Sequence, residues 1–204
     1  MRGTIGGFVI KMKFSRDESI AFFKEHNKDS MHFKHALAVE AAMRYFARHY
    51  GEDEELWARA GLMHDIDWET TMSVEAGHPV KGGEMLAERG YEEEIVRAAL
   101  AHGWDFSGVE PKSLMEKTLF AIDELTGFIT AVALVRPSKS LSDLEAKSVK
   151  KKWKDKAFAR GVNREVIERG VKLMGEPLEW LIENAIEALR PVENEIGLGS
   201  GYGS

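Results

Sequence analysis

Leu62-Met63-His64-Asp65-Ile66-Asp67 is the stretch that decides the fold and the chemistry predicted for this sequence. Its leucine and methionine end an apolar helical pattern, and a histidine beside an aspartate follows at once. Three further histidines, His35, His78 and His102, are spread around it, and Asp123 lies inside a later apolar run. Imidazole and carboxylate groups are ligands for divalent metals. The distribution therefore indicates a metal site built from several segments of the chain.

The composition narrows the class of protein. A chain of 204 residues fits one domain, or one domain with an extension. The hydrophobic fraction of 44% and the charged fraction of 30% are typical of a soluble globular protein. The net charge of -6 argues against general nucleic-acid binding, which draws on surplus lysine and arginine. Because there is no cysteine, any metal must be held by histidine, aspartate or glutamate.

The ends of the chain give no sign of export or membrane insertion. No apolar run approaches the roughly 18 residues of a membrane span, and the N-terminal lysines are unlike a signal peptide. We therefore expect a cytoplasmic protein with no membrane partner. Residues 1–14 are predicted to be a leader, residues 15–195 one helical domain, and residues 196–204 a flexible tail.

Cap signals divide the first half of the chain into helices. Ser15 with Glu18 has the spacing of a capping box. The helices that follow are predicted from Ser30 to before Gly51, from Asp53 to the His-Asp pair, from Pro79 to Gly90, and from Glu92 to His102. Two histidines thus fall at helix ends, where side chains can converge on a cavity while the helices stay packed.

The second half of the chain is also predicted to be helical. Pro111 is expected to open a long helix that contains Asp123, and a carboxylate among apolar residues needs a partner or a metal. Ser142 with Glu145 suggests another capping box, Asn163 a cap for a helix up to Gly175, and Pro177 the start of the last helix. The expected fold is therefore an all-α bundle.

The ligand order resembles that of the HD-domain metal-dependent phosphohydrolases. His35-Ala36-Leu37-Ala38-Val39 is similar to the first-helix motif of that family, Leu62-Met63-His64-Asp65-Ile66 to the motif that gives it its name, and Ala121-Ile122-Asp123-Glu124-Leu125 to its final motif. The resemblance covers residues 30–135. It implies a compact HD-domain helical bundle, with residues 141–195 as an additional C-terminal helical extension.

The resemblance also implies a ligand set. His35, His64, Asp65 and Asp123 would bind one divalent ion, and His78 and His102 would bind a second ion bridged by Asp65. Mn, Fe, Ni, Co, Mg and Zn all remain open as the metal. His78-Pro79-Val80-Lys81-Gly82 is similar to the corresponding motif of members that hold two metals.

Substrate signatures of the subfamilies are missing. Asp67-Trp68-Glu69 stands where some subfamilies have Gly-Lys, and Gly103-Trp104-Asp105 follows His102 in place of a Gly-Tyr-Pro signature. The substrate class therefore stays open at this point.

Several residues outside the ligand set are candidates for catalysis or substrate binding. Asp67 or Glu69 could relay a proton, or be structural. Lys81 is predicted to stabilise a phosphate, and the basic run that contains Lys150, Lys151 and Lys154 is either a phosphate-binding surface or a solvated helix face. His32 is expected to be an exposed polar residue, with a hydrogen-bond role beside the metal or a substrate contact as the alternatives.

The function predicted from the resemblance is hydrolysis of a phosphomonoester or phosphodiester of a small molecule, with a nucleotide favoured. Water activated by the metal would attack phosphorus, and Asp65 would orient that water. The alternatives are a diiron oxygenase of the same fold and a metal- or nucleotide-binding module without turnover. A small phosphorylated substrate is the expected partner, with no nucleic acid, and self-association is left open.

Overall fold

The computed structural model describes residues 13–71 and 77–199, and within these ranges the chain is helical and contains no strand. The all-α prediction is therefore confirmed. The helices are α1 (Arg16–His26), α2 (Ser30–Tyr50), α3 (Glu54–Met63), α4 (Trp68–Thr71), α5 (Val80–Arg89), α6 (Glu93–His102), α7 (Trp104–Ser107), α8 (Leu114–Leu134), α9 (Ala146–Trp153), α10 (Arg164–Met174) and α11 (Leu178–Leu189), followed by a 3₁₀ turn, Arg190–Val192.

Most helix starts are capped as the sequence predicts. Ser15 and Glu18 form the capping box of α1. The side chain of Asp53 accepts hydrogen bonds from two backbone N–H groups of α3, and Asn163 does the same for α10. Gly51 ends α2 with a φ of 73°, a left-handed conformation that glycine adopts without strain. The side-chain caps are predictable because each one accepts from a backbone N–H within three residues of the cap.

Three predicted helix starts differ from the structure. Ser30 is predicted to be the N-cap of α2, but Asp29 caps this helix and Ser30 is its first helical residue. The long helix α8 begins after Ser113, which forms a capping box with Glu116, and not at Pro111. The predicted capping box at Ser142 is wrong, because α9 begins at Ala146. Next to Ser142, the hydroxyl of Ser140 and the N–H of Leu141 donate instead to the carboxylate of Glu193 at 2.9 and 2.8 Å, which ties this segment to the C-terminal part of the chain.

Helices α2 and α8 form the centre of the molecule. Helix α2 packs against α3, α8 and α11, and α8 packs against α2, α6, α9, α10 and α11. Their large side chains are fully buried, among them Met43 and Phe46 on α2 and Ile122 and Phe128 on α8. Burying each such side chain contributes about 1.5–3 kcal/mol. The site is therefore anchored on the two most firmly packed helices.

Two glycines allow helices to approach these central helices closely. A Cβ added to Gly61 of α3 would lie 2.8 Å from the backbone oxygen of Val39 on α2. A Cβ added to Gly170 of α10 would lie 2.5 Å from Ala121 on α8. Any larger residue would force the helices apart. The first contact sets α3, and hence His64 at its end, directly against the helix that carries His35.

The C-terminal helices cover the centre and extend the ordered chain beyond the predicted domain end. Ile196 and Leu198 are buried with 3% and 1% of their surfaces exposed, and the N–H of Gly199 donates to the carbonyl of Lys139 at 2.7 Å. The prediction that residues 196–204 form a flexible tail is therefore wrong for residues 196–199. Residues 200–204 and most of the predicted leader, 1–12, lie outside the described residues. None of the described helices has the length and apolarity needed to cross a bilayer.

Candidate metal centre

Six ligand-type residues from five segments of the chain converge at one place. His35 comes from the first half of α2, His64 and Asp65 directly follow α3, and Asp123 lies in the middle of α8. His78 lies two residues before α5, and His102 is the last residue of α6. The structure thus brings together the six residues that the sequence singled out as a metal site.

The two carboxylate oxygens of Asp65 face two different groups of histidines. Oδ2 lies 3.3 Å from Nε2 of His64 and 3.9 Å from Nε2 of His35. Oδ1 lies 3.2 Å from Nε2 of His102 and 3.5 Å from Nε2 of His78. This is the arrangement of a carboxylate between two adjacent sets of ligands.

Asp123 completes the first of these sets. Its Oδ1 lies 2.9 Å from Nε2 of His35 and 3.3 Å from Nε2 of His64. Ligand atoms of these three residues lie within 4.8 Å of one another, and the same holds for His64, Asp65 and His102. Asp123, which the sequence places among apolar residues, is therefore paired with His35 and His64.

Hydrogen bonds on the far side of three imidazoles fix their orientation. Nδ1 of His64 donates to the carbonyl of Gly61 at 2.7 Å, and Nδ1 of His102 donates to the carbonyl of Ala99 at 2.5 Å. Nδ1 of His78 donates to Oδ1 of Asp67 at 2.9 Å. These bonds place the proton on Nδ1 and direct the Nε2 lone pair toward the centre, as metal-bound histidines require.

The donor set fits a divalent cation. His64 is completely buried, and its Nε2 atom has no hydrogen-bond partner among the described residues. A buried polar atom in that position is costly unless something binds to it. Neutral imidazole nitrogens with carboxylate oxygens suit Mn, Fe, Co, Ni and Zn.

Without a metal, the carboxylates hold protons on the imidazoles. Burial lowers the pKa of His64, but the charges of Asp65 and Asp123 outweigh burial and hold that pKa well above its usual value. Burial raises the pKa of Asp65 and of Asp123, but His64 and the other histidines around these carboxylates hold both pKa values well below their usual range. Burial lowers the pKa of His78, but the hydrogen bond to Asp67 raises this pKa above the usual value for histidine. Metal and protons therefore compete for the same atoms.

Comparison with known proteins identifies the domain. Residues 32–127 match the model of the HD domain family. The chain contains an HD domain. The match begins at the start of α2, ends in α8, and includes all six converging residues, so the predicted HD domain is confirmed.

The curated relatives share part of their length with this chain. Ribonuclease Y of Oleidesulfovibrio alaskensis is 32% identical over 136 residues, and that of Desulfotalea psychrophila is 33% identical over 136 residues. Each match covers 65% of this chain and 26% of the relative, so the chain spans about a quarter of the length of these proteins. No solved structure matches the chain.

Asp67 lies behind the HD-domain site and not in its cleft. It is fully buried, its Oδ1 accepts the hydrogen bond from His78, and its Oδ2 has no partner among the described residues. A Cβ on Gly82 of α5 would lie 2.8 Å from the same Oδ1, so the absence of a side chain at Gly82 leaves room for this carboxylate. The geometry supports an orienting contact to His78 more directly than the predicted proton relay.

The turn after the His-Asp pair is fastened to the junction of α1 and α2. The side-chain amide of Asn27 donates to the carbonyl of Ile66 at 2.8 Å, and its oxygen accepts from the N–H of Glu69 at 3.2 Å. The carboxylate of Glu69 accepts from the N–H groups of Lys28 and Asp29, both at 2.7 Å. Glu69, the other predicted relay residue, is thus engaged in holding this turn.

His32 differs from its expected exposed position. Only 9% of its surface is exposed, its Nε2 lies 3.5 Å from Oδ2 of Asp65, and neither ring nitrogen has a hydrogen-bond partner among the described residues. The rings of Phe23 and Trp68 pack at 5.3 and 6.3 Å from it. The alternative reading, a role beside the metal, is the one that the structure supports.

A cleft of about 530 Å³ opens over the site. Its lining includes ligand-type residues and His32, the aromatic side chains of Trp68, Trp104, Phe106 and Phe120, and the carboxylate of Glu124. Burial, and then the charge of Asp123, raises the pKa of Glu124 to about 7. Glu124 and the aromatic residues are not among the sequence-predicted site residues, although the Trp104-Asp105-Phe106 run directly after His102 marks two of them.

The predicted phosphate-binding lysines do not lie in this cleft. Lys81 is exposed and pairs with Glu84 at 3.0 Å, and Lys150 pairs with Glu179 of α11 at 2.8 Å. Lys151 and Lys154 are exposed and are absent from the cleft lining. Their role in substrate binding stays a prediction without support from the geometry.

Proposed function

We propose that this chain is a metal-dependent phosphohydrolase that cleaves a phosphate ester of a small molecule. The observation that carries the proposal is the position of Asp65, whose two oxygens face separate groups of histidines at the base of an open cleft. A site that only stabilises the fold is closed by its ligands, whereas a catalytic site keeps access to solvent. The cleft supports the catalytic alternative.

The donor groups would hold up to two ions. His35, His64 and Asp123 with Oδ2 of Asp65 would form one set, and His78 and His102 with Oδ1 of Asp65 would form the other. When bound, such ions lower the pKa of a coordinated water from 15.7 to roughly 7 and neutralise charge on phosphate oxygens.

The protein itself contributes orientation and burial. The carbonyls of Gly61 and Ala99 and the carboxylate of Asp67 fix three imidazoles with Nε2 directed at the centre. Because these groups are buried, the site is arranged before the substrate arrives and little reorganisation is needed. The aromatic side chains of the cleft would exclude water around the bound ester.

The cleft supports a small-molecule substrate more than an RNA strand. Its volume of about 530 Å³ is within the usual range for small-molecule sites, ~300–1,000 Å³. The name ribonuclease Y raises RNA as a second substrate class. However, none of the described residues that line the cleft is a lysine or an arginine, and strand binding depends on such cations along the backbone.

The test is reconstitution followed by a substrate screen. Protein stripped of metal is loaded with Mn, Co, Ni, Mg, Fe or Zn, and its metal content is measured. Nucleoside monophosphates and sugar phosphates are then assayed for phosphate release, and model phosphodiesters are assayed for release of the alcohol. We expect turnover with at least one metal. Absence of turnover by fully loaded protein on the whole panel would contradict the proposal.

Two variants assign the activity to this site. Asp65→Ala should lose both metal binding and turnover, because it removes the carboxylate shared by the two ligand sets. Glu88→Ala, which removes an exposed carboxylate of α5 outside the cleft lining, is the matched control and should keep both. Oxygen uptake by the iron-loaded protein, if found without phosphate release, would support the oxygenase alternative instead.

A further inference from the structure

One glycine inside a helix has no packing reason to be glycine. Among the described residues, five glycines lie inside helices. At Gly61, Gly82, Gly83 and Gly170 an added Cβ would come within 2.5–2.8 Å of a neighbouring atom. At Gly127 of α8 it would meet nothing within 4 Å. Glycine in a helix interior is unfavourable relative to alanine, so the first four are explained by close packing and Gly127 is not.

The empty space at Gly127 belongs to the cleft. Gly127 lies among the lining residues, one helical turn after Asp123 on the same helix. Four residues advance about 6 Å along a helix axis. The bare backbone of α8 therefore lines the cleft about 6 Å along the helix axis from Asp123, a proposed metal ligand.

Aromatic side chains line the same cleft. Trp68 is 41% exposed and Phe106 is 60% exposed, so both rings have surface open to a ligand. Trp104 is held in place, because the guanidinium of Arg169 lies 4.6 Å from its ring centroid and pairs with Asp105 at 2.7 Å. Rigid aromatic surfaces of this kind bind planar rings through their faces or edges.

The charges of the cleft limit the phosphate content of its occupant. Asp29, Asp105 and Glu124 line it in addition to Asp65 and Asp123, and no described lining residue is a lysine or an arginine. Beyond the metal centre, the described lining residues therefore include no cationic side chain to balance a second or third phosphate.

We infer that Gly127 is a specificity-determining residue, and that its bare backbone with the aromatic side chains seats a planar ring of a substrate that carries a single phosphate. The inference rests on the proposed function only in that the metal centre holds the phosphate of the substrate. A side chain at position 127 would occupy the volume that the ring needs and leave the phosphate end untouched.

The experiment compares two phosphonates that differ by one ring. Benzylphosphonate and methylphosphonate both carry one anionic group, and their C–P bonds resist hydrolysis. Their dissociation constants are measured by calorimetry with the manganese-loaded protein and with Gly127→Ala, Gly127→Leu and Ala87→Leu. Ala87 is an exposed residue of α5 outside the cleft lining, so its variant adds the same bulk to a helix surface elsewhere.

We expect the wild type to bind benzylphosphonate about tenfold more tightly than methylphosphonate, as one aromatic stacking contact provides. Gly127→Leu should abolish that preference without changing the affinity for methylphosphonate, and Ala87→Leu should change neither. Gly127→Ala should weaken benzylphosphonate binding while raising the melting temperature by about 2–4 °C, because alanine favours the helix.

Two kinds of result would contradict the inference about Gly127. If Gly127→Leu keeps the preference for benzylphosphonate, or weakens both ligands alike, the inference about Gly127 is wrong and the proposed function still stands. If the wild type binds neither phosphonate, the phosphate site fails, and the inference fails with it.

Discussion

Replacing Asp67 with asparagine should weaken the binding of one metal ion and spare the other. Asp67 is fully buried, and its Oδ1 accepts the Nδ1 proton of His78 at 2.9 Å. His78 faces Oδ1 of Asp65 together with His102, whereas His35, His64 and Asp123 belong to the other ligand set. The perturbation therefore acts on the His78–His102 set alone.

The expected size follows from the hydrogen bond that is altered. Asparagine keeps the shape and one acceptor oxygen but removes the negative charge. A hydrogen bond to a charged group contributes about 1.5–3 kcal/mol and a neutral one about 0.5–1.5 kcal/mol. The difference, about 1–1.5 kcal/mol, corresponds to roughly a tenfold loss of affinity, within the range of about 10–100-fold for residues that orient metal-bound histidines.

The assay is a metal titration monitored by calorimetry, with the bound metal quantified by elemental analysis. We expect two binding events in the wild type, of which only one weakens in Asp67→Asn. Glu69→Gln is the matched control, because Glu69 lies two residues away and its carboxylate accepts backbone hydrogen bonds without contacting His78. Equal weakening of both events, or no weakening of either, would refute the orienting role of Asp67.

Three further predictions concern pH, RNA and the C-terminal segment. Carboxylates raise the pKa of His64 and His78, so these residues stabilise the metal-free protein below about pH 6.5, and this contribution is lost as pH rises through the raised pKa values. The melting temperature with Mn should therefore exceed that with EDTA by a margin that grows from pH 6 to pH 8. A constant margin would contradict this linkage. The affinity for a single-stranded RNA hexamer, measured by fluorescence anisotropy, should hardly change with salt concentration, because the described cleft lining lacks lysine and arginine. An affinity that falls steeply with salt would favour an RNA substrate. Leu198→Ala should destabilise the fold by about 2–5 kcal/mol in urea unfolding, because the side chain is 1% exposed; an unchanged midpoint would mean that this segment does not pack on the core in solution.

Local signals made the helix pattern predictable. Asp53 and Asn163 cap their helices through hydrogen bonds to residues two and three positions away, so the sequence contains both partners. The capping box at Ser142 fails because the neighbouring residues bind Glu193, about 50 residues later. A pattern that depends on nearby residues is overridden when a distant carboxylate provides better hydrogen bonds.

The identity of the ligand-type residues was predictable, but their grouping was not. The order of His35, His64-Asp65, His78, His102 and Asp123 identifies the six residues. Which oxygen of Asp65 faces which histidines depends on how α2, α6 and α8 pack, and those contacts join residues up to 88 positions apart. Only the folded chain supplies that information.

Burial of single polar residues and the direction of basic residues were the least predictable. His32 is buried because Phe23 and Trp68 pack around it, and neither contact is visible in the periodicity of α2. Lys150 points toward Glu179 because Val149 is buried and fixes the rotation of α9. In both cases the rest of the fold decides where a side chain points.

The hydrogen bonds of Asn27 and Glu69 make two distant parts of the chain one cooperative unit. The turn that follows Asp65 cannot open without breaking four hydrogen bonds to residues 27–29, and the junction of α1 and α2 cannot open without releasing that turn. Amide protons on both sides should therefore exchange with solvent in a single opening event. Loss of the first helix and loss of the metal centre are then the same step in the unfolding of this protein.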